Sequence, residues 1–141
     1  MVIADTGFWL ALANSNDQHH ERAKKILPRL DEPLVTTWPV VTETCHLLLH
    51  RLGFDSQLAF VKSYNDNAFA VFALTEKEGP KIYRLMKKYC DLPMDLADAS
   101  LVILAEHLGH GRILSTDQRD FKTYRFKNHR PFKNLLFADD E

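Results

Sequence analysis

Acidic residues occur in this sequence at positions where chemistry is often placed. Asp5 follows the short apolar run that begins the chain, and Asp117 follows a similar run much later. Asp95 and Asp98 open a long apolar segment, and Glu43 follows shortly after another apolar run. Acids crowded together repel one another and raise their own pKa values, which costs stability unless cations compensate. An oxygen-only cluster suits Mg²⁺ or Mn²⁺ better than zinc.

Each of these acids also has a local explanation. Asp95 and Asp98 are three residues apart at a helix start, where a capping pair is common and the helix dipole favours negative charge. Asp5 and Asp117 could likewise cap the helices that follow them. Glu43 alone is typical of a solvated helix residue. The choice depends on whether the acids converge in space.

The apolar runs predict the elements that position these acids. Runs of strand length occur at residues 1–4, 34–36, 69–74, 112–115 and 135–137, and helical segments lie between them. Strands that alternate with helices form parallel sheets with right-handed crossovers. We therefore expect an α/β fold with three layers, α/β/α, around a central, mostly parallel sheet of about five strands.

The parallel sheet predicts where the acids lie. All strands of such a sheet end at one edge, and open α/β sheets bind their ligands there. Asp5 and Asp117 end strands at this edge. The helices that follow strands begin there too, which brings Glu43, Asp95 and Asp98 towards it. A hard divalent ion held at this edge would bind phosphate oxygens and activate water for phosphodiester hydrolysis, without a side-chain nucleophile.

A basic and aromatic segment follows Asp117. Residues 119–133 contain one acid, Asp120, and six basic residues: Arg119, Lys122, Arg125, Lys127, Arg130 and Lys133. This local excess could follow a phosphate backbone, with Tyr124 or Phe126 available to stack on bases. The alternative is a solvated surface whose aromatic residues belong to the core.

Length and composition limit the possible classes. The 141 residues, with 45% hydrophobic content, predict one globular domain spanning 1–141. The net charge of -1 predicts neither a nucleic-acid nor a membrane partner from total charge. No apolar run approaches the roughly 20 residues of a membrane span. Cys45 and Cys90 lack metal-ligand spacing and suggest buried free thiols, so we expect a cytoplasmic protein.

The order of these motifs resembles the PIN-domain ribonucleases, especially the VapC toxins of prokaryotic toxin–antitoxin pairs. The resemblance covers nearly the whole chain, and four motifs in the right order and spacing make it fairly specific. They are Ile3-Ala4-Asp5-Thr6, Thr42-Glu43, Leu96-Ala97-Asp98-Ala99, and Ser115-Thr116-Asp117 with Asp120-Phe121.

The resemblance implies a metal-dependent endoribonuclease, the toxin of a type II toxin–antitoxin pair, that uses Mg²⁺ or Mn²⁺. Asp5 and Asp98 would be the principal metal ligands, with Glu43 and Asp117 completing the acidic pocket and Asp117 also reaching the metal. The supporting residues would be Thr6, Asp95, Thr116 and Asp120. Family members often form homodimers, and a cognate antitoxin usually holds them inactive by covering the acidic cleft.

A phosphoreceiver domain and a PIN-like binding domain are the alternatives to a PIN-domain ribonuclease. A phosphoreceiver domain needs paired acids after its first strand, an Asp after the third and a Lys after the fifth. The chain has the single Asp5, then Leu74-Thr75, then Ala138-Asp139, which argues against that class. A PIN-like domain that binds RNA or a partner with little or no cleavage remains an alternative.

Overall fold

Strands and helices alternate along the chain, and the computed structural model describes residues 1–140, with side chains to residue 138. The strands are β1 (Val2–Ala4), β2 (Leu34–Thr37), β3 (Phe69–Phe72), β4 (Arg112–Leu114), β5 (Arg125–Phe126), β6 (Arg130–Pro131) and β7 (Lys133–Asn134). The α-helices are α1 (Thr6–Ala13), α2 (His20–Ile26), α3 (Trp38–Leu52), α4 (Phe54–Asn65), α5 (Gly79–Lys88), α6 (Leu96–Leu108) and α7 (Gln118–Thr123). Short 3₁₀ helices span Leu27–Arg29, Glu76–Glu78 and Leu135–Asp140.

Five of the strands form one parallel sheet in the order β3-β2-β1-β4-β7. Helices flank this sheet, which confirms the predicted α/β/α architecture and the number of strands. Central β1 is buried along its whole length, as expected for a strand covered on both faces. The carboxyl ends of β1, β2 and β4 therefore lie side by side at one edge of the sheet, called here the carboxyl edge.

The position of the last strand was predicted wrongly. The apolar run 135–137 belongs to a 3₁₀ helix, and the strand is the preceding pair, Lys133–Asn134. The Asn134 side chain explains the difference, because it accepts from Ser115 N (3.2 Å) and donates to Ser115 O (2.8 Å). Its Oδ1 also accepts from Leu136 N (3.2 Å), which turns the chain out of the sheet.

Helix α6 is the buried helix that the sequence predicted. Eight of its residues are buried, and it begins at the N-cap Asp95, whose side chain accepts from Asp98 N (2.8 Å). It ends at Gly109, which has a left-handed φ of 80° that favours glycine. The helix packs against β1 and β2, so its first turn is fixed at the carboxyl edge.

The segment after α7 forms a small hairpin outside the main sheet. Strands β5 and β6 pair antiparallel, and Lys127 (φ 49°) and Asn128 (φ 66°) make the turn between them. The rings of Phe121 and Phe126 both pack edge-on against Phe132. This aromatic contact holds the hairpin to the rest of the domain.

Two further expectations concern the cysteines and the membrane. Cys45 and Cys90 are free thiols, as predicted, but Cys90 is exposed rather than buried. Within residues 1–140, no helix has both the length and the apolar character that crossing a membrane requires.

Candidate active site

Asp5 lies at the carboxyl end of β1 and is the N-cap of α1. Its Oδ1 accepts from Thr6 N (2.8 Å) and its Oδ2 accepts from Ser115 Oγ (2.9 Å). The residue is only 7% exposed, and burial is the main cause that raises its pKa from 3.8 to about 6. The two hydrogen bonds oppose this rise, whereas the charges of Glu43 and Asp117 add to it. The Asp5 side chain therefore both caps α1 and belongs to the group of interacting acids.

Asp98 lies in the first turn of α6 and points towards the last aromatic residue before the hairpin. Its Oδ2 accepts a hydrogen bond from the Tyr124 hydroxyl at 2.8 Å. Burial raises the pKa of Asp98 to about 8, and the charges of Asp5 and Asp95 add to this effect while the Tyr124 bond opposes it. Asp98 is thus a carboxyl group that is costly to ionise where it stands.

Glu43 lies one turn into α3, next to Asp95 at the start of α6. Burial raises the pKa of the half-buried Glu43, and the nearby Asp95 raises it further. The nearby Thr6 hydroxyl opposes this rise in the pKa of Glu43. Thr6 Oγ1 is buried and has no hydrogen-bond partner of good geometry among the described residues. Asp95 itself caps α6, as predicted, and is exposed at the rim.

Asp117 follows β4 and caps α7. Its Oδ1 accepts from Asp120 N (3.1 Å), and its own N–H donates to Ser115 Oγ (3.0 Å). Partial burial raises the pKa of this outward-facing carboxyl, and its contact with the Asp120 carboxyl raises it further. Asp120 is buried and accepts from Arg119 Nε (3.2 Å), which makes it a partner of that arginine.

The structure thus brings the predicted acids to one edge of the sheet from separate elements. Asp5 interacts electrostatically with Glu43, Asp98 and Asp117, and Asp95 interacts with Glu43 and Asp98. Among the described side chains, the lysine ion pairs are Lys62 with Asp66 and Lys81 with Glu106, and neither involves these acids. The predicted supporting residue Thr116 is half-buried on the same edge, with its hydroxyl against Gly7 of α1.

Two residues at this edge were not predicted as site residues. Ser115 is buried and joins Asp5 to Asp117 through the two bonds of its hydroxyl. Tyr124 binds Asp98, although the sequence suggested that it stacks on bases. The three-residue spacing of Phe121 and Tyr124 on a helical segment indicated that both face inwards, and this signal could have identified Tyr124.

The predicted base-stacking role of Tyr124 and Phe126 is wrong. The two rings are 0% and 1% exposed, because they pack within the aromatic cluster under the hairpin. The alternative considered from the sequence, core aromatic residues under a solvated surface, describes them correctly.

The basic residues of this segment divide into two groups. Lys122 and Lys127 are exposed. Arg125 folds back, and its Nη1 donates to three carbonyl oxygens at residues 122–124 at distances of 2.7–3.2 Å. Arg130 lies over the Phe126 ring at 4.9 Å, and Arg119 Nη2 donates to Leu92 O at 3.1 Å. Arg125 and Arg130 are therefore held by internal contacts, whereas the accessible cations are Lys122, Lys127 and Arg119, whose side chain is 74% exposed.

The donor chemistry of the site fits a hard divalent ion, although no ready-made cage is present. Among the side chains that the structure describes, residues 1–138, no three Asp, Glu, His or Cys residues form a group that could hold a metal ion by themselves. The predicted set of Asp5, Asp98 and Asp117 is therefore not preassembled as three ligands. Mg²⁺ commonly binds through one or two carboxylates and keeps several waters. Asp5 and Asp98 match that requirement, because they interact with each other and their ionisation is costly without a cation.

The fold and this acidic edge define a known class. The family model described as the PIN domain matches residues 2–127. Because the match covers most of the chain, this protein belongs to the PIN-domain family.

Individual relatives refine the class. Ribonuclease VapC26 of Mycobacterium tuberculosis is 28% identical over 124 residues, which are 88% of this chain and 92% of VapC26. The 23S rRNA-specific endonuclease VapC20 of the same organism is 36% identical over 59 residues, 42% of this chain and 45% of VapC20. The crystal structure of VapC20, a sarcin–ricin loop cleaving toxin, matches with a TM-score of 0.82 and 23% identity, covering 93% of this chain and 100% of that one.

These findings confirm the prediction of a PIN-domain ribonuclease of the VapC type. The structural match shows the shared fold, and the family and the names of the relatives show the class of activity. PIN-domain nucleases depend on a metal ion, and the oxygen-only site agrees with that dependence.

Proposed function

We propose that this chain hydrolyses RNA phosphodiester bonds at the carboxyl edge with Mg²⁺ or Mn²⁺, as the toxin of a type II toxin–antitoxin pair. The observation that carries the proposal is the convergence of Asp5, Glu43, Asp98 and Asp117 from four separate elements onto one edge. Burial is the main cause that raises their pKa values, and neighbouring carboxylates raise them further, so ionising this group of acids costs free energy in the folded chain. A bound cation offsets that cost because it favours the ionised carboxylates, so cation binding accounts for why these acids are placed together.

Asp5 and Asp98 are the proposed metal ligands, with Asp117 as an outer third. A divalent ion at this position supplies an activated water and neutralises charge on the phosphoryl group. Ser115 fixes Oδ2 of Asp5, and Tyr124 fixes Oδ2 of Asp98, which leaves the remaining lone pairs of both carboxylates for binding.

Glu43 has the proposed role of proton acceptor. Its carboxyl is half-buried next to Asp95, and its raised pKa makes it a better base than an ordinary glutamate. Glu43 lies one turn into α3, so the rigid helix holds its carboxyl group at the carboxyl edge. Asp95 and Asp120 support the site as the N-cap of α6 and the neighbour of Asp117.

RNA reaches this edge across the surface of α7 and the hairpin in the proposed complex. Lys122 and Lys127 provide exposed positive charge there, while Arg119, Arg125 and Arg130 stiffen the segment through their internal contacts and add long-range charge. VapC20 is named for its action on 23S rRNA, so ribosomal RNA is the first substrate to test.

The proposed partners are the RNA and a cognate antitoxin that covers the acidic edge, in a cytoplasmic homodimer. VapC toxins act with VapB antitoxins, and an uninhibited nuclease would damage its own cell. Co-expression with a candidate antitoxin, followed by cleavage assays, tests this part separately from the chemistry.

A metal-titrated cleavage assay on total RNA tests the function. Wild-type protein treated with a chelator should cleave RNA only after Mg²⁺ or Mn²⁺ is added, and Asp5→Asn should not cleave at any metal concentration. RNA binding without cleavage in wild type would instead support the alternative of a PIN-like binding domain. Equal cleavage by both proteins would indicate a contaminating nuclease and contradict the assignment.

A further inference from the structure

The close contact between Gly7 and Thr116 connects two segments that carry site acids. A Cβ atom at residue 7 would lie 1.9 Å from Thr116 Oγ1 and 3.1 Å from Thr116 Cβ. Real Cβ atoms essentially never approach another atom as closely as the first distance. Glycine is therefore the only residue that permits this placement of the Thr116 hydroxyl.

The need for glycine at this position is steric and does not come from the backbone. Positive φ angles occur at Gly53 (105°) and Gly109 (80°), where glycine avoids strain. Gly7 lies in the first turn of α1 with an ordinary helical backbone, which other residues adopt freely. Glycine in a helix even costs stability relative to alanine. The close approach of Thr116 is therefore the feature that requires glycine at this position.

Thr116 lies in the middle of the loop that completes the acidic edge. The residue before it, Ser115, donates to Asp5, and the residue after it, Asp117, caps α7. The backbone adds a further link, because Asp5 N donates to Leu114 O at 3.0 Å. A displacement of Thr116 therefore moves both neighbours relative to Asp5.

A rotation of the Thr116 side chain would not fully relieve the clash with a Cβ atom at residue 7. The rotation moves Oγ1 away, but Thr116 Cβ would stay at 3.1 Å, which is tighter than nine in ten real contacts of this kind. The loop itself would have to shift by a few tenths of an ångström. Catalytic sites are sensitive to displacements of this scale.

We infer that Gly7 is a positioning residue, whose missing side chain lets the Thr116 loop close onto the first turn of α1 and sets the geometry of Ser115 and Asp117 around Asp5. The inference rests on the proposed nuclease function for its catalytic consequence. Its steric part does not depend on that function.

A double-mutant cycle of Gly7→Ala and Thr116→Gly tests both parts, because glycine at residue 116 removes both close atoms, Oγ1 and Cβ. Gly7→Ala alone should lower kcat for RNA cleavage by about 10- to 100-fold with KM nearly unchanged, because the basic surface that binds RNA is not altered. In the Thr116→Gly background, the same substitution should cost less than about threefold, since both the hydroxyl and the Cβ that a side chain at residue 7 would meet are gone. An equal loss in both backgrounds, or wild-type kcat in Gly7→Ala, overturns the inference.

The thermal unfolding of the same four proteins supplies a readout that needs no activity. Gly7→Ala should lower Tm in the wild-type background and should leave it unchanged or raise it in the Thr116→Gly background. Gly79→Ala is the matched control, because no atom lies within 4 Å of a Cβ at that position. A wild-type protein that cleaves no RNA would refute the proposed function, and the Tm cycle would still decide the Gly7 contact. Additive Tm changes would overturn it.

Discussion

The acidic edge and the basic segment 119–133 carry charge of opposite sign, and their charged groups differ in the partners that they have. At the edge, Asp5 and Asp98 are surrounded by other carboxylates and by hydroxyl donors, and burial makes their ionisation costly. In the basic segment, Arg125 and Arg130 are satisfied by carbonyl oxygens and an aromatic ring of the same segment. The two regions therefore differ less in the amount of charge than in whether the charge has a compensating partner.

Energetic cost explains why this distinction is informative. A charge that finds a partner within its own segment contributes to stability and needs no function to account for it. A buried carboxyl without a cation lowers the stability of the fold, so its presence needs an explanation from outside the fold. Substitutions in the two regions should therefore have opposite effects on stability and on activity.

The largest effect is expected at Asp98. Asp98→Asn should reduce metal-dependent RNA cleavage at least about 1000-fold, a loss of about 4 kcal/mol of transition-state stabilisation. The same variant should be as stable as wild type or more stable at pH 8 without divalent ions, because the costly ionisation is removed. Cleavage rates and chemical unfolding measure the two parts, with the exposed Asp91→Asn as control. A stability loss of about 1 kcal/mol or more would favour a purely structural role for Asp98.

Tyr124→Phe should have the next largest effect. The substitution removes the hydrogen bond that holds the pKa of Asp98 down, so Asp98 becomes still harder to ionise. Wild-type cleavage at low metal concentration should rise with pH between about 6 and 8, where Asp5 and Asp98 lose their protons. In Tyr124→Phe this rise should move to higher pH, with a loss of about tenfold at pH 7.

A pH–rate profile of wild type, Tyr124→Phe and the exposed control Tyr83→Phe measures this shift. The Phe ring preserves the packing of Tyr124, so a folded variant is expected. A profile that coincides with the wild-type profile would show that the Tyr124 hydroxyl does not tune Asp98.

The basic segment should show a smaller and divided effect. Lys122→Ala with Lys127→Ala should weaken RNA binding several-fold and reduce the slope of log K against log salt by about 1.4 to 1.8. Lys24→Ala with Lys62→Ala removes the same charge from other exposed positions and serves as control. Arg130→Ala should instead lower stability by about 1 kcal/mol through the lost contact with Phe126. An unchanged salt slope in the lysine variant would place the RNA elsewhere.

The smallest expected effect is the stabilisation of the fold by metal ions. The stability contributed by the protonated acids is lost as pH rises from about 4 to about 8, because the unfolded carboxyls ionise before Asp5 and Asp98 do. Added Mn²⁺ should therefore raise Tm by a few degrees at pH 8 and by less at pH 5.5. The difference should vanish in Asp5→Asn. An equal rise at both pH values in both proteins would indicate non-specific binding.

Local signals and chain topology account for what the sequence revealed. Asp95 and the apolar residues after it have the pattern of a capped, buried helix, and α6 is that helix. The convergence of Asp5, Glu43 and Asp98 follows from the shared edge of parallel strands, which needs only the alternation of strands and helices. These inferences required no knowledge of individual side-chain contacts.

Contacts between distant segments account for what the sequence did not reveal. Asp5 and Ser115 are 110 residues apart, and Asp98 and Tyr124 are 26 apart, so no local pattern connects them. The strand expected at 135–137 was displaced because the Asn134 side chain ends the pairing. The aromatic residues of the hairpin could not be assigned to core or surface until their mutual packing was known.

The position of Trp38 gives the site an optical reporter. The chain has two tryptophans, and Trp9 is buried (7% exposed) while Trp38 is 45% exposed at the first residue of α3. The Trp38 ring packs edge-on against Tyr64 at 5.5 Å, and its carbonyl oxygen accepts from Thr42, next to Glu43. Collisional quenching by iodide therefore selects the emission of Trp38, and its change on addition of Mn²⁺ or RNA follows events at the start of α3 without any label.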